Sequence, residues 1–294
     1  MSGAGKTFRS WIGQVVRKQL QDSALANGAF SRFVPQNRRL TIGITTYCCR
    51  YTDYFLPLMQ SLARAFHDYP LIVNVNAYPD KEKQQHYLTE LETRFKSNAS
   101  QVRFIVHQTP VGVSRLWNEL IESAETEQIL LLNDDVSLFP PLRGALLRLH
   151  DGGGQVFNNM FSHFVVSRSL VDTVGWFDER FAGFGSEDID FALRCAAQSI
   201  TLQIRYTPWL VHDWRPYAEE HTTYDAISHR EPGGTKYSDM NHNLFLEKWR
   251  RVASPGGALF CPLDRQYYLP NVPSAAELHE RRIAGKDANM LYYA

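Results

Sequence analysis

Ile129-Leu130-Leu131-Leu132-Asn133-Asp134-Asp135 is the stretch that decides the fold. Four consecutive apolar residues leave no polar face, so the run reads as a strand buried on both sides, as in parallel sheets covered by helices. Two carboxylates follow at once. In open sheets of this kind ligands sit beyond the carboxyl ends of the strands, so Asp134 and Asp135 stand where chemistry is expected.

Working outward, Val113, Leu116, Trp117, Leu120, Ile121 and Ala124 recur at helical spacing just before that strand. Further upstream, Leu40 to Ile44 reads as a buried strand, and Phe55, Leu58, Met59, Leu62 and Phe66 as the apolar stripe of a helix. Leu71 to Val75 reads as a second strand, residues 81–96 as a polar helix, and Val102 to Val106 as a third strand. This alternation predicts an α/β fold: a nucleotide-binding, mostly parallel sheet flanked by helices.

At 294 residues with 44% hydrophobic content the chain suits one main domain with short extensions. We expect an N-terminal helical extension over 1–38, a catalytic domain over 39–252 and a C-terminal tail over 253–294. The catalytic domain divides into a donor-binding half, 39–141, and an acceptor-binding half, 142–252. In the extension, Lys6, Arg9, Arg17 and Lys18 surround Trp11, Ile12, Val15, Val16 and Leu20, a pattern for an amphipathic helix. That helix would pack on the domain or touch a membrane surface peripherally. A formal net charge of zero argues against nucleic acid as a partner. Cys48, Cys49, Cys195 and Cys261 form no CxxC pair and read as reduced thiols. Without a run of roughly twenty apolar residues or a secretion signal, the expected location is the cytoplasm, or the inner face of a membrane.

Three constellations carry the chemistry. Adjacent carboxylates such as Asp134 and Asp135 raise each other's proton affinity unless a cation or donor groups sit nearby. A hard divalent ion such as Mg²⁺ or Mn²⁺ would supply that cation; a turn or helix cap is the other reading. The second is Gly183-Phe184-Gly185-Ser186-Glu187-Asp188-Ile189-Asp190. Its glycines free the backbone, Ser186 is placed to cap a helix, and Ile189, Ala192, Leu193 and Ala196 are expected as the buried stripe. Glu187 and Asp188 then face a cleft from the first turn. The third is His212, at the end of the apolar stretch from Thr201 to Leu210, a candidate metal ligand.

Together these segments resemble the glycosyltransferase A fold, and in particular the inverting enzymes of family 2, through most of residues 39–252. The resemblance rests on Ile44-Thr45-Thr46-Tyr47, on Gly112 through Asn118 leading to Asn133-Asp134-Asp135, and on Gly175-Trp176-Phe177-Asp178-Glu179-Arg180-Phe181 running on to Glu187-Asp188-Ile189-Asp190 and His212. Asn243 to Trp249 looks like a helix that often closes such domains. The resemblance implies that a sugar moves from a nucleoside diphosphate, expected to be a UDP-sugar, to a hydroxyl of a glycan or lipid-linked glycan. By the same resemblance Asp135 and His212 hold the divalent ion, and Thr46, Tyr47, Asn76, Asn118, Asn133 and Asp134 bind the donor. Asp188 is the general base, Glu187 orients the acceptor, and Trp176 and Gly185 help to bind it. Two positions depart from the family pattern: Asn76, with Asp80 further on, where an acid often reads the base, and Asn133, where a third aspartate is common. Retaining transfer and sugar nucleotidyl transfer remain as alternatives.

Overall fold

A computed structural model of the chain describes residues 39–95, 102–147, 153–212, 237–249, 274–284 and 291–293. The N-terminal extension, residues 213–236 of the acceptor-binding half and most of the C-terminal tail lie outside the described residues.

The centre of the fold is an eight-stranded sheet. Its strands are β1 (Leu40–Thr46), β2 (Leu71–Val75), β3 (Val102–Val106), β4 (Gln128–Asn133), β6 (Gln155–Phe157), β7 (His163–Ser167), β8 (Gln203–Arg205) and β10 (Leu291–Tyr293), in the order β10-β3-β2-β1-β4-β7-β6-β8. Strands β5 (Val136–Leu138) and β9 (Leu210–His212) form a separate two-stranded ribbon. The pairs β3-β2, β2-β1 and β1-β4 are parallel, whereas β7 runs antiparallel to β4 and β6 antiparallel to β7. With β6-β8 also parallel, the sheet is the expected mostly parallel one, and its antiparallel pairs are β10-β3, β4-β7 and β7-β6.

The helices are α1 (Leu56–Ala65), α2 (Lys81–Phe95), α3 (Val113–Ser123), α4 (Leu142–Leu146), α5 (Arg168–Val174), α6 (Glu187–Ala197), α7 (Tyr237–Lys248) and α8 (Ala275–Ala284). Two cores explain why the strands read as unbroken apolar runs. Ile42, Ile44, Val73, Val75, Leu130 and Leu132 point to one face, against Phe55, Leu58, Met59, Leu62 and Phe66. Ile72, Ile105, Ile129 and Leu131 point to the other, against Trp117, Leu120 and Ile121. Successive side chains alternate across a strand, so a sheet covered on both faces needs an apolar residue at every position. Each fully buried Leu, Ile or Phe contributes about 1.5–3 kcal/mol.

The stretch Thr201 to Leu210 departs from expectation. It yields only β8, all three of whose residues are exposed, and the start of β9. β8 lies at the sheet edge and, among the described residues, pairs with β6 alone. The C-terminal tail carries more than a terminal extension would: β10 pairs antiparallel with β3. Helix α8 buries Leu278 against Gly175, and Arg282 forms ion pairs with Glu122 (2.6 Å) and Glu179 (3.3 Å). Among the described residues no helix is long and apolar enough to cross a membrane.

Candidate active site

After β1 the chain runs on to β2 and β3 on one side of it, and then crosses to β4 on the other. The gap between the ends of β1 and β4 is therefore the switch point, where such sheets bind ligands. Thr46 ends β1, and Asn133-Asp134-Asp135 ends β4 and turns into β5.

Three side chains from the β1 end close on Asn133, Asp134 and Asp135. Thr46 Oγ1 donates to Asp134 Oδ2 at 2.7 Å, and Thr45 Oγ1 to Asn133 Oδ1 at 3.2 Å. Arg50, not among the residues singled out from the sequence, ends a 3₁₀ turn, Cys48–Arg50, and precedes one wide π turn, Tyr51–Phe55, that leads into α1. Its Nε donates to Asp134 Oδ1 at 2.5 Å and its Nη2 reaches Asp135 Oδ2 at 2.6 Å. Tyr47 and Tyr54 flank the guanidinium, their ring centres 5.5 and 4.5 Å from it.

These contacts separate the two carboxyls. Burial pushes Asp134 up to about 6, with Arg50 opposing the rise and Asp135 adding to it. Burial acts on Asp135 too, but the Arg50 charge and the His212 ring outweigh it and hold it well below the usual carboxylate range. The β5-β9 ribbon brings in His212, which pairs with Val136 in register and sets its Nε2 3.4 Å from Asp135 Oδ1. That oxygen is buried and accepts no hydrogen bond among the described residues. His163, at the start of β7, lies near His212 with ring centres 6.2 Å apart and planes tilted by 34°; burial and then His212 push it down to about 3, so it stays neutral.

The donor set suits a divalent ion in part. No group of three or more His, Cys, Asp or Glu side chains converges to hold a metal among the described residues. Yet an unbonded carboxylate oxygen and an imidazole nitrogen 3.4 Å apart are spaced to share one ion with bonds of about 2.0–2.2 Å. An ion with few protein ligands and several from a diphosphate is the common arrangement for Mg²⁺-like centres.

The acidic pair Glu187-Asp188 opens α6. Helix α3 follows β3, so its N-terminus lies at the carboxyl edge of the parallel strands. There Val113 N donates to Gly183 O at 2.7 Å, which fixes the glycine loop, and hence Glu187 and Asp188, to the same edge as Asp134 and Asp135. Gly112 permits the approach: a Cβ there would sit 2.9 Å from the carbonyl oxygen of Phe181. From the other side, the Asn241 amide bonds Ala182 N, Ala182 O and Phe184 O at 2.8–3.1 Å.

Ser186 does not cap α6. It takes a left-handed conformation, φ 73°, and its side chain makes no capping bond. Instead Glu187 accepts from Gly185 N at 2.5 Å, with Gly185 at φ 114°, where a side chain would be strained. Asp188 Oδ1 accepts from Ile189 N at 2.8 Å. Burial and then the Asp188 charge push Glu187 up to about 8, and burial raises Asp188 as well.

The buried stripe of α6 is also rotated from the expected one. Leu193 is buried as expected, but Asp190, Phe191, Arg194 and Cys195 face inward with it, while Ile189, Ala192 and Ala196 are half-buried. Asp190 is inside because it is fully paired, to Arg194 Nε (3.0 Å), Lys248 Nζ (2.5 Å) and the Trp249 indole (2.9 Å). Lys248 also reaches Asp178 Oδ2 at 2.7 Å. The third acid of the motif is thus part of the scaffold.

Several expected ligand residues are placed differently. Asn118 is fully buried, its amide bonded to Phe177 N, Phe177 O and Glu179 Oε1 at 2.8–3.0 Å. The Asn76 amide is committed to Val111 N, Val111 O and Ala77 N at 2.9–3.0 Å. Asp80 caps α2 through the N–H groups of Glu82 and Lys83. Trp176 stands away from the carboxyl edge: its ring meets His279 and Arg282 of α8, beside Glu122 at the far end of α3. Thr46, Tyr47, Asn133, Asp134, Asp135 and His212 are brought together, with Gly185, Glu187 and Asp188 on the same edge. A lone arginine just after the first strand, facing two acids after the fourth, was the signal for Arg50.

No family model matches the chain, and no curated protein matches it in sequence. Solved structures do. The S. aureus TarS structure is 14% identical over 57% of this chain, with a TM-score of 0.43, and this chain spans 35% of its length. GalNAc-T7 with UDP, GalNAc and Mn²⁺ is 9% identical over 79% of this chain and 54% of that one, with a TM-score of 0.48. The mannosyltransferase PcManGT of Pyrobaculum calidifontis, in complex with GDP-Man and Mn²⁺, is 13% identical with a TM-score of 0.50 over 97% of this chain and 85% of that one. The likeness is one of fold, and the fold is the glycosyltransferase A type.

Proposed function

We propose that the chain is a metal-dependent glycosyltransferase that moves a sugar from a nucleoside diphosphate to a hydroxyl of a glycan or lipid-linked glycan, with inversion. One observation carries this reading: a carboxylate pair at the switch point of the sheet and a second pair on the first turn of α6 share one edge. Asp135 and His212 would hold the divalent ion, which when bound supplies positive charge to the departing diphosphate. Thr46 and Arg50 keep Asp134 aimed at the gap between β1 and β4. Glu187 and Asp188 are neighbours in low dielectric, and two such groups do not both ionise readily. With Glu187 protonated up to about pH 8, the negative charge rests on Asp188, which is then the base that takes the acceptor's hydroxyl proton. With one displacement and no protein nucleophile, the anomer inverts. UDP-sugars are the donors to try first, and GDP-mannose, bound by PcManGT, is the competing choice.

The test is thermal unfolding against a panel of nucleotide sugars with Mn²⁺ or with chelator. A true donor at a hundred times its Kd should add about 2.7 kcal/mol, about 5–10 °C for a domain of this size, and only with the ion present. Asp135→Ala should abolish the ion-dependent part. A panel in which no nucleotide sugar shifts the melt would sink the proposal.

A further inference from the structure

Arg50 stands where a cation is needed and is itself a cation. Its two bonds divide the aspartate pair unequally. Asp134 is held on both oxygens, by Thr46 at 2.7 Å and by Arg50 Nε at 2.5 Å. Asp135 is held on one: Oδ2 meets Arg50 Nη2 at 2.6 Å, and Oδ1 faces His212 across 3.4 Å without a hydrogen bond among the described residues. A guanidinium keeps its charge at any working pH. The side chain has little freedom to leave, being buried between the rings of Tyr47 and Tyr54 and tethered by the turn 48–50.

We propose that Arg50 is a built-in counter-cation that competes with the divalent ion for Asp135, and so sets how tightly the chain takes up metal. The inference rests on the metal site proposed above. With Arg50 in place the two aspartates carry a single uncompensated charge, and an ion approaching Asp135 Oδ1 meets a fixed positive group one carboxyl width away. Asp134 is not the point of exchange, since both its oxygens are committed. The pair therefore stays folded and charged without metal, at the expense of metal affinity.

The experiment is a Mn²⁺ titration followed by the electron paramagnetic resonance signal of the free ion, on wild type, Arg50→Met, Arg50→Lys and Asp135→Ala. Melting curves without metal establish that each is folded. Arg50→Met should bind Mn²⁺ about 10- to 100-fold more tightly, the factor that corresponds to one charge-assisted hydrogen bond released from Asp135. Arg50→Lys, which can reach one aspartate but cannot fork to both, should fall between. If Arg50→Met does not fold, Arg50→Lys decides, with affinity above wild type expected. A purely structural Arg50 would leave affinity unchanged or weaken it, and that result in the folded variants overturns the inference. Should wild-type binding be lost in Asp135→Ala while the Arg50 variants bind no tighter, only the competition fails. If no variant binds Mn²⁺ at all, the metal site fails with it.

Discussion

Replacing Lys248 with methionine removes one charge from a buried cluster. The ammonium lies 2.7 Å from Asp178 and 2.5 Å from Asp190, and all three side chains are about 1% exposed or less. Breaking a buried ion pair by removing one partner costs about 3–5 kcal/mol, because the remaining charge is stranded. Here each aspartate keeps an arginine, Arg180 for Asp178 and Arg194 for Asp190, which argues for the lower end, about 3 kcal/mol. At about 2–4 °C per kcal/mol, melting should fall by about 6–12 °C. Burial alone would raise Asp178, but Arg180 and Lys248 outweigh it and hold it well below its usual range. A depressed carboxyl contributes stability that is present above its unfolded pKa, about 3.9, and is lost as pH falls through the lower folded value. The variant loses part of that contribution, so its deficit should be full at pH 7 and shrink below about pH 4. Thermal melts of both proteins across that range are the assay. A deficit under 2 °C at pH 7, or one that grows on acidification, refutes the reasoning.

Other substitutions probe the site directly. Asp188→Asn should leave donor binding nearly unchanged while cutting transfer by about 10²- to 10⁴-fold; loss of donor affinity instead would make Asp188 a binding residue. Gly112→Ala puts a methyl 2.9 Å from the Phe181 carbonyl, so the loop carrying Glu187 must move by a few tenths of an ångström. The cost is about 1–3 kcal/mol of stability and about tenfold in kcat, and an unchanged kcat would show the loop does not position the base. Glu187, raised to about 8, contributes stability that is fully present below its unfolded pKa near 4.3 and declines as pH rises through 8. Glu187→Gln keeps an acceptor for Gly185 N–H without that titration, so its melting temperature should fall less than wild type's between pH 5 and 9; parallel curves would remove the buried proton.

The donor half was legible because its signals are local. Phe55 to Phe66 and Val113 to Ala124 declare their helices within a few turns, and Ile129 to Leu132 declares a strand by having no polar face. The rest depended on partners far along the chain. The stripe of α6 was misread because Asp190 is paired with Lys248 and with Trp249, 59 residues away, while Arg194 donates back to the carbonyls of Val174, Gly175 and Trp176. Asn76 and Asn118 have the residue type of a ligand and sit in the sequence beside the expected donor segments. Their partners, 35 and 59 residues on, make them clamps instead. Arg50 was overlooked for a related reason: its position after the first strand gains meaning only from the parallel pairing of β1 with β4, which brings it to Asp134, 84 residues away.

Those clamps also explain how the two halves, joined by the β4-β7 and β5-β9 ladders, keep one geometry at their loops. An asparagine amide can donate and accept at once, so a single side chain can satisfy both backbone groups of a loop residue. Asn76 does this for Val111, Asn118 for Phe177 and Asn241 for Ala182. Strung together, they run from the end of β2 to the turn before α3, where Gly112 lets the loop 181–183 lie against it, and on to Glu187. A buried loop that lacked such partners would leave several polar groups unsatisfied, at about 1–3 kcal/mol each. The acid pair on α6 is therefore registered against the aspartates at the end of β4 through hydrogen-bonded loops, and the precision of the site depends on residues that touch neither metal nor sugar.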